Sequence, residues 1–224
     1  MTDFHIILSP AEAEGGLNAA SALHYAALAG LRFAALVLPG DGSDFSRLAA
    51  LAETVRTYSL YANVEARTGV ELRHVPPPLL PSAVREARRA GAELVLVHGE
   101  TLADQVAEGT NFAAIEAGAD IIAHPGLIDA KTAAFAAEKG VALEFTSCPK
   151  HALTNAHTAA MALRFGCPLV RGSAARKARD ITTRTFWPRV IQGADVFDNG
   201  ENNGSLLELL RKSEETLIRR LMKA

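Results

Sequence analysis

An alternation runs through this chain and limits the folds open to it. Short apolar runs recur along it, separated by longer stretches rich in Ala, Leu and Glu. Runs of four to eight residues fit strands, and the longer amphipathic stretches fit helices. Strands are expected at residues 3–8, 33–38, 68–74, 93–97, 120–123, 141–145 and 169–170. Helices are expected at about 16–29, 44–60, 81–90, 111–117, 130–139 and 155–165. Gly30, Gly91, Gly118, Gly140 and Gly166 each stand between an expected helix and the next strand, where a left-handed residue ends a helix at little cost. Strands joined through helices pair in parallel. Seven such units ending near residue 170 favour an α/β fold of closed or nearly closed barrel type over an open sheet, a choice that periodicity alone leaves open.

The rest of the chain fits one domain over residues 1–224. Leu206, Leu210, Leu217 and Leu221 form a stripe on an expected closing helix at 205–223, after a polar turn at 198–204. With 224 residues, 49% of them hydrophobic and 21% charged, the chain can bury a large core without cross-links. The two cysteines, Cys148 and Cys167, form no C-x-x-C pair. Neither a disulfide framework nor a zinc–thiolate site is suggested, which fits a reducing compartment. Met1–His5 lacks the basic start of a signal peptide, and no apolar run is long enough to span a bilayer. A cytoplasmic location is therefore expected, without membrane association. The net charge of −2 supplies no broad field for nucleic acid.

Glu71 lies within the apolar run Gly69–Leu72, while His98 and His124 each end an apolar strand. Groups at the C-terminal ends of barrel strands face the active-site mouth. Two imidazoles and a carboxylate converging there suit a divalent ion such as zinc, manganese or iron. A lone strand-end histidine more often serves as a hydrogen-bonding residue, and the residue pattern leaves both readings open. Alternation along the first strand places Asp3, His5 and Ile7 on one face and Phe4, Ile6 and Leu8 on the other. That makes His5 a fourth ligand or a general base. Lys150 and His151, in the loop after the sixth strand, are candidates for binding an anion. His157 lies further along the same loop, and Thr154 or Asn155 is expected to cap the helix that follows. Arg171, Arg176, Lys177 and Arg179 follow the seventh strand and suggest an anion site as well as a solvated face. His24 reads as structural, and no neighbouring base singles out Cys148 as a nucleophile.

The strings Asp3-x-His5, Gly69-Val70-Glu71-Leu72, Val97-His98-Gly99-Glu100-Thr101, Gly109-Thr110-Asn111, Ala123-His124-Pro125-Gly126 and Leu153-Thr154-Asn155-Ala156-His157 occur here in one order. Together they resemble the PHP (polymerase and histidinol phosphatase) superfamily over residues 3–185. The resemblance implies a distorted (β/α)7 TIM-like barrel that hydrolyses phosphate esters with up to three divalent metals. It also implies losses. The second histidine of the usual His-x-His falls at Ile7, the usual Asp-His at Leu38-Pro39, and the usual Asp-x-His at Ser173-Ala174-Ala175. Glu12 or Glu14 would have to replace early-loop ligands. By similarity one metal site remains, made by Glu71, His98 and His124 with His5 assisting. The expected protein is a phosphoesterase-like relative with a degenerate site, at most one divalent metal and a phosphorylated small molecule as partner. The alternative is a non-catalytic binder of a phosphate ligand or a protein. An RNA-associated subunit, as in ribonuclease P assemblies, fits less well with the acidic net charge.

Overall fold

A computed structural model describes residues 1–9, 15–194 and 201–223. Seven parallel strands form one sheet in chain order: β1 (Thr2–Ile7), β2 (Phe33–Gly40), β3 (Glu65–Leu72), β4 (Leu94–His98), β5 (Ile121–Ala123), β6 (Ala142–Thr146) and β7 (Leu169–Gly172). An isolated parallel bridge between Ile6 and Ala175 joins the last edge to the first, and the Ile7 N–H donates to the Ala175 carbonyl at 2.8 Å. The expected (β/α) barrel is present, nearly closed, with one strand in each expected place.

Helices α1 (Ala19–Leu28), α2 (Leu48–Ala62), α3 (Leu80–Arg89), α4 (Thr110–Glu116), α5 (Ala130–Lys139) and α6 (Asn155–Phe165) connect successive strands. The glycines expected to follow helices all have positive φ. Two further helices follow the barrel, α7 (Trp187–Gly193) and α8 (Glu201–Leu221). The sequence pattern gives no sign of α7, and residues 201–204, expected in a turn, open α8. The remainder of that turn, and Glu12 and Glu14, lie outside the described residues. Among the described residues no helix is long and apolar enough to cross a membrane.

The barrel interior is layered. Phe4, Ile7, Ala35, Val37, Leu94, Leu96, Ile121, Ala123, Ala142 and Val170 form one apolar cluster, joined by Leu217 and Leu221 of α8. The stripe on α8 therefore packs against the barrel's own core. Arg220 of α8 donates to Asp120 Oδ1 at 2.7 Å, and Arg88 of α3 to Asp120 Oδ2 at 2.5 Å. Each fully buried Leu or Phe contributes about 1.5–3 kcal/mol.

The expected alternation in β1 does not hold. Phe4 shares the interior cluster with Ile7, while Ile6 and Leu8 pack with α1 residues such as Leu23 and Ala26. The reason is a register break. Asp3 pairs with Ala34 but Ile6 with Leu36, so three steps on β1 match two on β2. Such a bulge re-aims side chains, and here it lies beside His5.

Candidate metal centre

The apolar floor gives way to a buried polar layer towards the C-terminal ends of the strands. His5, Glu71, His98, His124 and Glu144 are each no more than 2% exposed. Strand pairing sets Glu71 beside Leu96 and Glu144 beside Val170, both members of the interior cluster. Two carboxylates thus enter the barrel at inward positions of β3 and β6, flanked by imidazoles from β1, β4 and the end of β5.

The contacts are specific. His5 Nδ1 lies 3.0 Å from Glu144 Oε1, and His5 Nε2 lies 3.4 Å from Glu71 Oε2. His98 Nδ1 lies 3.0 Å from Glu71 Oε1. The His124 N–H donates to Glu144 Oε2 at 3.0 Å. The same oxygen stands 2.9 Å from His124 Nδ1, but outside hydrogen-bond alignment. Asp3 Oδ1 accepts the N–H groups of His5 and Ser173, both at 3.0 Å, tying β1 to the segment after β7.

Local sequence explains how these groups are held. Asn111 Oδ1 accepts the Glu100 N–H at 3.1 Å, Asn111 Nδ2 donates to the Pro125 carbonyl at 2.8 Å, and Glu100 Oε1 accepts the Asn111 N–H at 2.8 Å. This latch joins the residues that follow His98 to those that follow His124. His124 itself has φ of 52°, a left-handed conformation that a non-glycine residue adopts at a cost. Of the two expected caps, Thr154 holds the N-cap position of α6 without a side-chain hydrogen bond, and Asn155 opens the helix without capping it. Asn155 brackets Thr146 instead, accepting its N–H at 3.1 Å and donating to its carbonyl at 2.7 Å.

Charge is strongly coupled here. Burial alone would lower the His5 pKa, but the Glu144 and Glu71 carboxylates overcome it and raise the value to about 10. Burial would raise both carboxylates, yet imidazole neighbours hold Glu71 and Glu144 well below the usual range. Burial lowers His124 in spite of Glu144. His151 is pushed down to about 3 by burial and then by His124 and His98, so it is neutral at pH 7.

Several polar atoms in this layer are buried without a hydrogen-bond partner: Asp3 Oδ2, His5 Nε2, Glu71 Oε2, His98 Nε2 and His124 Nε2. An orphaned buried polar atom costs about 1–3 kcal/mol, so such a concentration signals a missing partner. Two sets have ligand atoms within 4.8 Å of one another: Glu71, His98 and His124, and His5, His124 and Glu144. Two ligands about 2.1 Å from a tetrahedral zinc are about 3.4 Å apart. The 3.4 Å between His5 Nε2 and Glu71 Oε2 matches that edge. The donor set therefore fits a divalent cation.

Above the centre opens a cavity of about 830 Å³, lined in part by Arg73, His124, Lys150, His151, Arg176 and Arg179. His151 stacks on His124 with ring centroids 3.8 Å apart, and its Nδ1 lies 2.8 Å from Thr101 Oγ1. Asp104 pairs with Lys150 and approaches His98 Nε2 at 3.3 Å. Arg171 is not brought to this mouth. It points outward from β7, because alternation turns Val170 and Gly172 inward, and Glu214 of α8 binds it at 2.7 and 2.6 Å. Lys177 is exposed outside the cavity lining. His157 bonds the Ile128 carbonyl at 2.7 Å, away from the centre.

Sequence reasoning missed Glu144, Arg73 and Asp104. Glu144 carried the signal used for Glu71, a charge at an inward position of an apolar strand. Arg73, two residues after Glu71, lies 3.2 Å from Glu71 Oε1 through Nε and 3.4 Å from His98 Nδ1 through Nη2. Asp104 sits in a loop with no periodic signal.

The molecule is thus a TIM-like barrel whose mouth holds a His/Glu cluster fit for a divalent metal. The chain belongs to one family with the protein MJ1295 of Methanocaldococcus jannaschii, described as uncharacterized. The two are 36% identical over 182 residues, covering 77% of this chain and 83% of that one. No protein-family model matches the chain. Similar solved structures include a Xaa-Pro dipeptidase with methionine bound in its active site (TM-score 0.55, 13% identity, covering 98% of this chain and 75% of that one). Another is the A. niger ochratoxinase (TM-score 0.52, 12% identity, covering 86% and 66%). At these identities the likeness extends to the barrel fold.

Proposed function

We propose that this chain is a divalent-metal-dependent hydrolase of the PHP type. It acts on a small phosphorylated molecule and works with a reduced ligand set. The observation that carries the proposal is the group of buried ligand atoms of His5, Glu71, His98 and His124 that make no hydrogen bond, beneath a cavity with a basic rim. Zinc, manganese or iron bound there would polarise a phosphoryl oxygen and lower the pKa of a bound water. The chain's own side chains would do the rest. Arg73, Lys150, Arg176 and Arg179 would grip the phosphate. Neutral His151 would accept or donate a hydrogen bond without adding charge. The buried apolar floor would keep bulk water from the reacting end.

The replaced positions limit this chemistry. Ile7 lines the cavity, the Ser173 N–H is tied to Asp3, and Ala175 is buried in the β1 bridge. Such replacements are the basis for reading the site as degenerate. One observation favours the second reading, a phosphate-ligand binder without turnover. The Arg73 guanidinium already sits against Glu71 and His98 as a built-in cation. The deciding experiment is hydrolysis of p-nitrophenyl phosphate by protein loaded in turn with zinc, manganese or iron. Turnover that disappears in the Glu71→Ala, His98→Ala double variant supports the hydrolase. Phosphate binding without turnover under every metal supports the binder and overturns the hydrolase.

A further inference from the structure

Glu144 is buried, charged and central, yet its place differs from that of Glu71. Both of its oxygens are already engaged, Oε1 by His5 Nδ1 at 3.0 Å and Oε2 by the His124 N–H at 3.0 Å. Glu71 Oε2, by contrast, has no hydrogen-bond partner. Gly172 makes the space for this. A Cβ there would stand 2.8 Å from Glu144 Cδ and 2.9 Å from His5 Cβ.

A neutral imidazole, the form that binds a metal, presents its second nitrogen as an acceptor when the first donates its N–H to a carboxylate. Metal-binding histidines are commonly fixed in this way, and loss of the carboxylate costs about 10–100-fold in metal affinity. We infer that Glu144 is a positioning residue for the metal centre: its carboxylate accepts a hydrogen bond from the Nδ1–H of His5 and anchors the backbone of His124, so that both rings turn Nε2 to the cation. The inference rests on the metal-dependent reading above. It assigns Glu144 a role distinct from that of a ligand, although Glu144 lies within ligand range of His5 and His124. The pattern agrees, since Nε2 of both His5 and His124 is buried without a hydrogen-bond partner.

The test uses zinc and the full chain. Nitrogen-15 NMR of the zinc-bound protein reads which nitrogen of His5 carries the proton, and zinc titration reads affinity. The expected result is a proton on Nδ1 and zinc on Nε2 of His5. Glu144→Gln, whose amide oxygen still accepts the N–H, should lower zinc affinity about 10-fold, and Glu144→Ala about 100-fold. Zinc on Nδ1 of His5 would overturn the inference. So would a Glu144→Gln loss as complete as that of Glu71→Ala, which would make Glu144 a ligand. The measurement on the wild-type chain does not depend on how any variant folds. Failure of the wild-type chain to bind zinc would instead sink the metal-dependent reading, and this inference with it.

Discussion

Gly172 on β7 and Glu144 on β6 are fitted to one another: the glycine has no side chain where the carboxylate turns towards His5. A methyl group at residue 172 would push Glu144 or His5 out of place. Gly172→Ala should therefore lower the unfolding free energy by about 1–3 kcal/mol, the usual cost of overpacking. It should also weaken zinc binding at least 10-fold. Thermal unfolding and a zinc titration check the two effects together.

The arginines after β7 separate by role. Arg171→Ala removes the partner of a Glu214 carboxylate that is only 3% exposed. It should cost about 3 kcal/mol, because it strands a buried charge. It should leave phosphate affinity unchanged. Arg176→Glu with Arg179→Glu should do the reverse, weakening phosphate binding about 10-fold or more with stability nearly intact. Urea unfolding and a phosphate titration on both proteins test the split.

Metal-free protein should lose stability at alkaline pH. The folded-state pKa of His5 is raised from 6.5 to about 10, after its two carboxylates overcome the effect of burial. The folded state therefore holds a proton that the unfolded chain releases. That contribution is complete below pH 6.5 and declines as pH rises towards 10. The depressed carboxylates Glu71 and Glu144 act in the opposite sense, stabilising the fold above about pH 4.5 and losing that effect as pH falls. Urea midpoints between pH 7 and 10 should fall in the wild type, and the slope should flatten in His5→Ala.

Arg73→Met removes the guanidinium that leans on Glu71. A cation competing for that carboxylate is lost, so zinc should bind more tightly, by about 10-fold. Phosphate affinity should fall by a similar factor, because a rim donor goes with it. Calorimetric titrations with each ligand distinguish these opposite signs.

Much of this was legible in the sequence because strand and helix periods write themselves into residue order. Leu94–Val97 before His98 and Ile121–Ala123 before His124 announced both a strand and its mouth. Glu71 was legible as a charge inside an apolar run. Glu144 sent the same signal in Val141–Phe145, but its partner His5 lies 139 residues away. Pairing across the barrel is set by closure rather than by local pattern. The β1 bulge escaped for a related reason, since Phe4 and Ile7 share a side only once β2 fixes the register. Arg171 read as one of a basic cluster, and only strand parity and the arrival of α8 turned it away from the mouth.

His5, Glu71, His98 and His124 are proposed to hold a divalent cation, and metal content reads that out. Elemental analysis of the purified chain, reconstituted with zinc, manganese or iron, should find about one ion per chain. The Glu71→Ala, His98→Ala double variant should retain almost none while still folding. No bound metal after reconstitution, or equal content in the variant, would mean that these residues form no metal site.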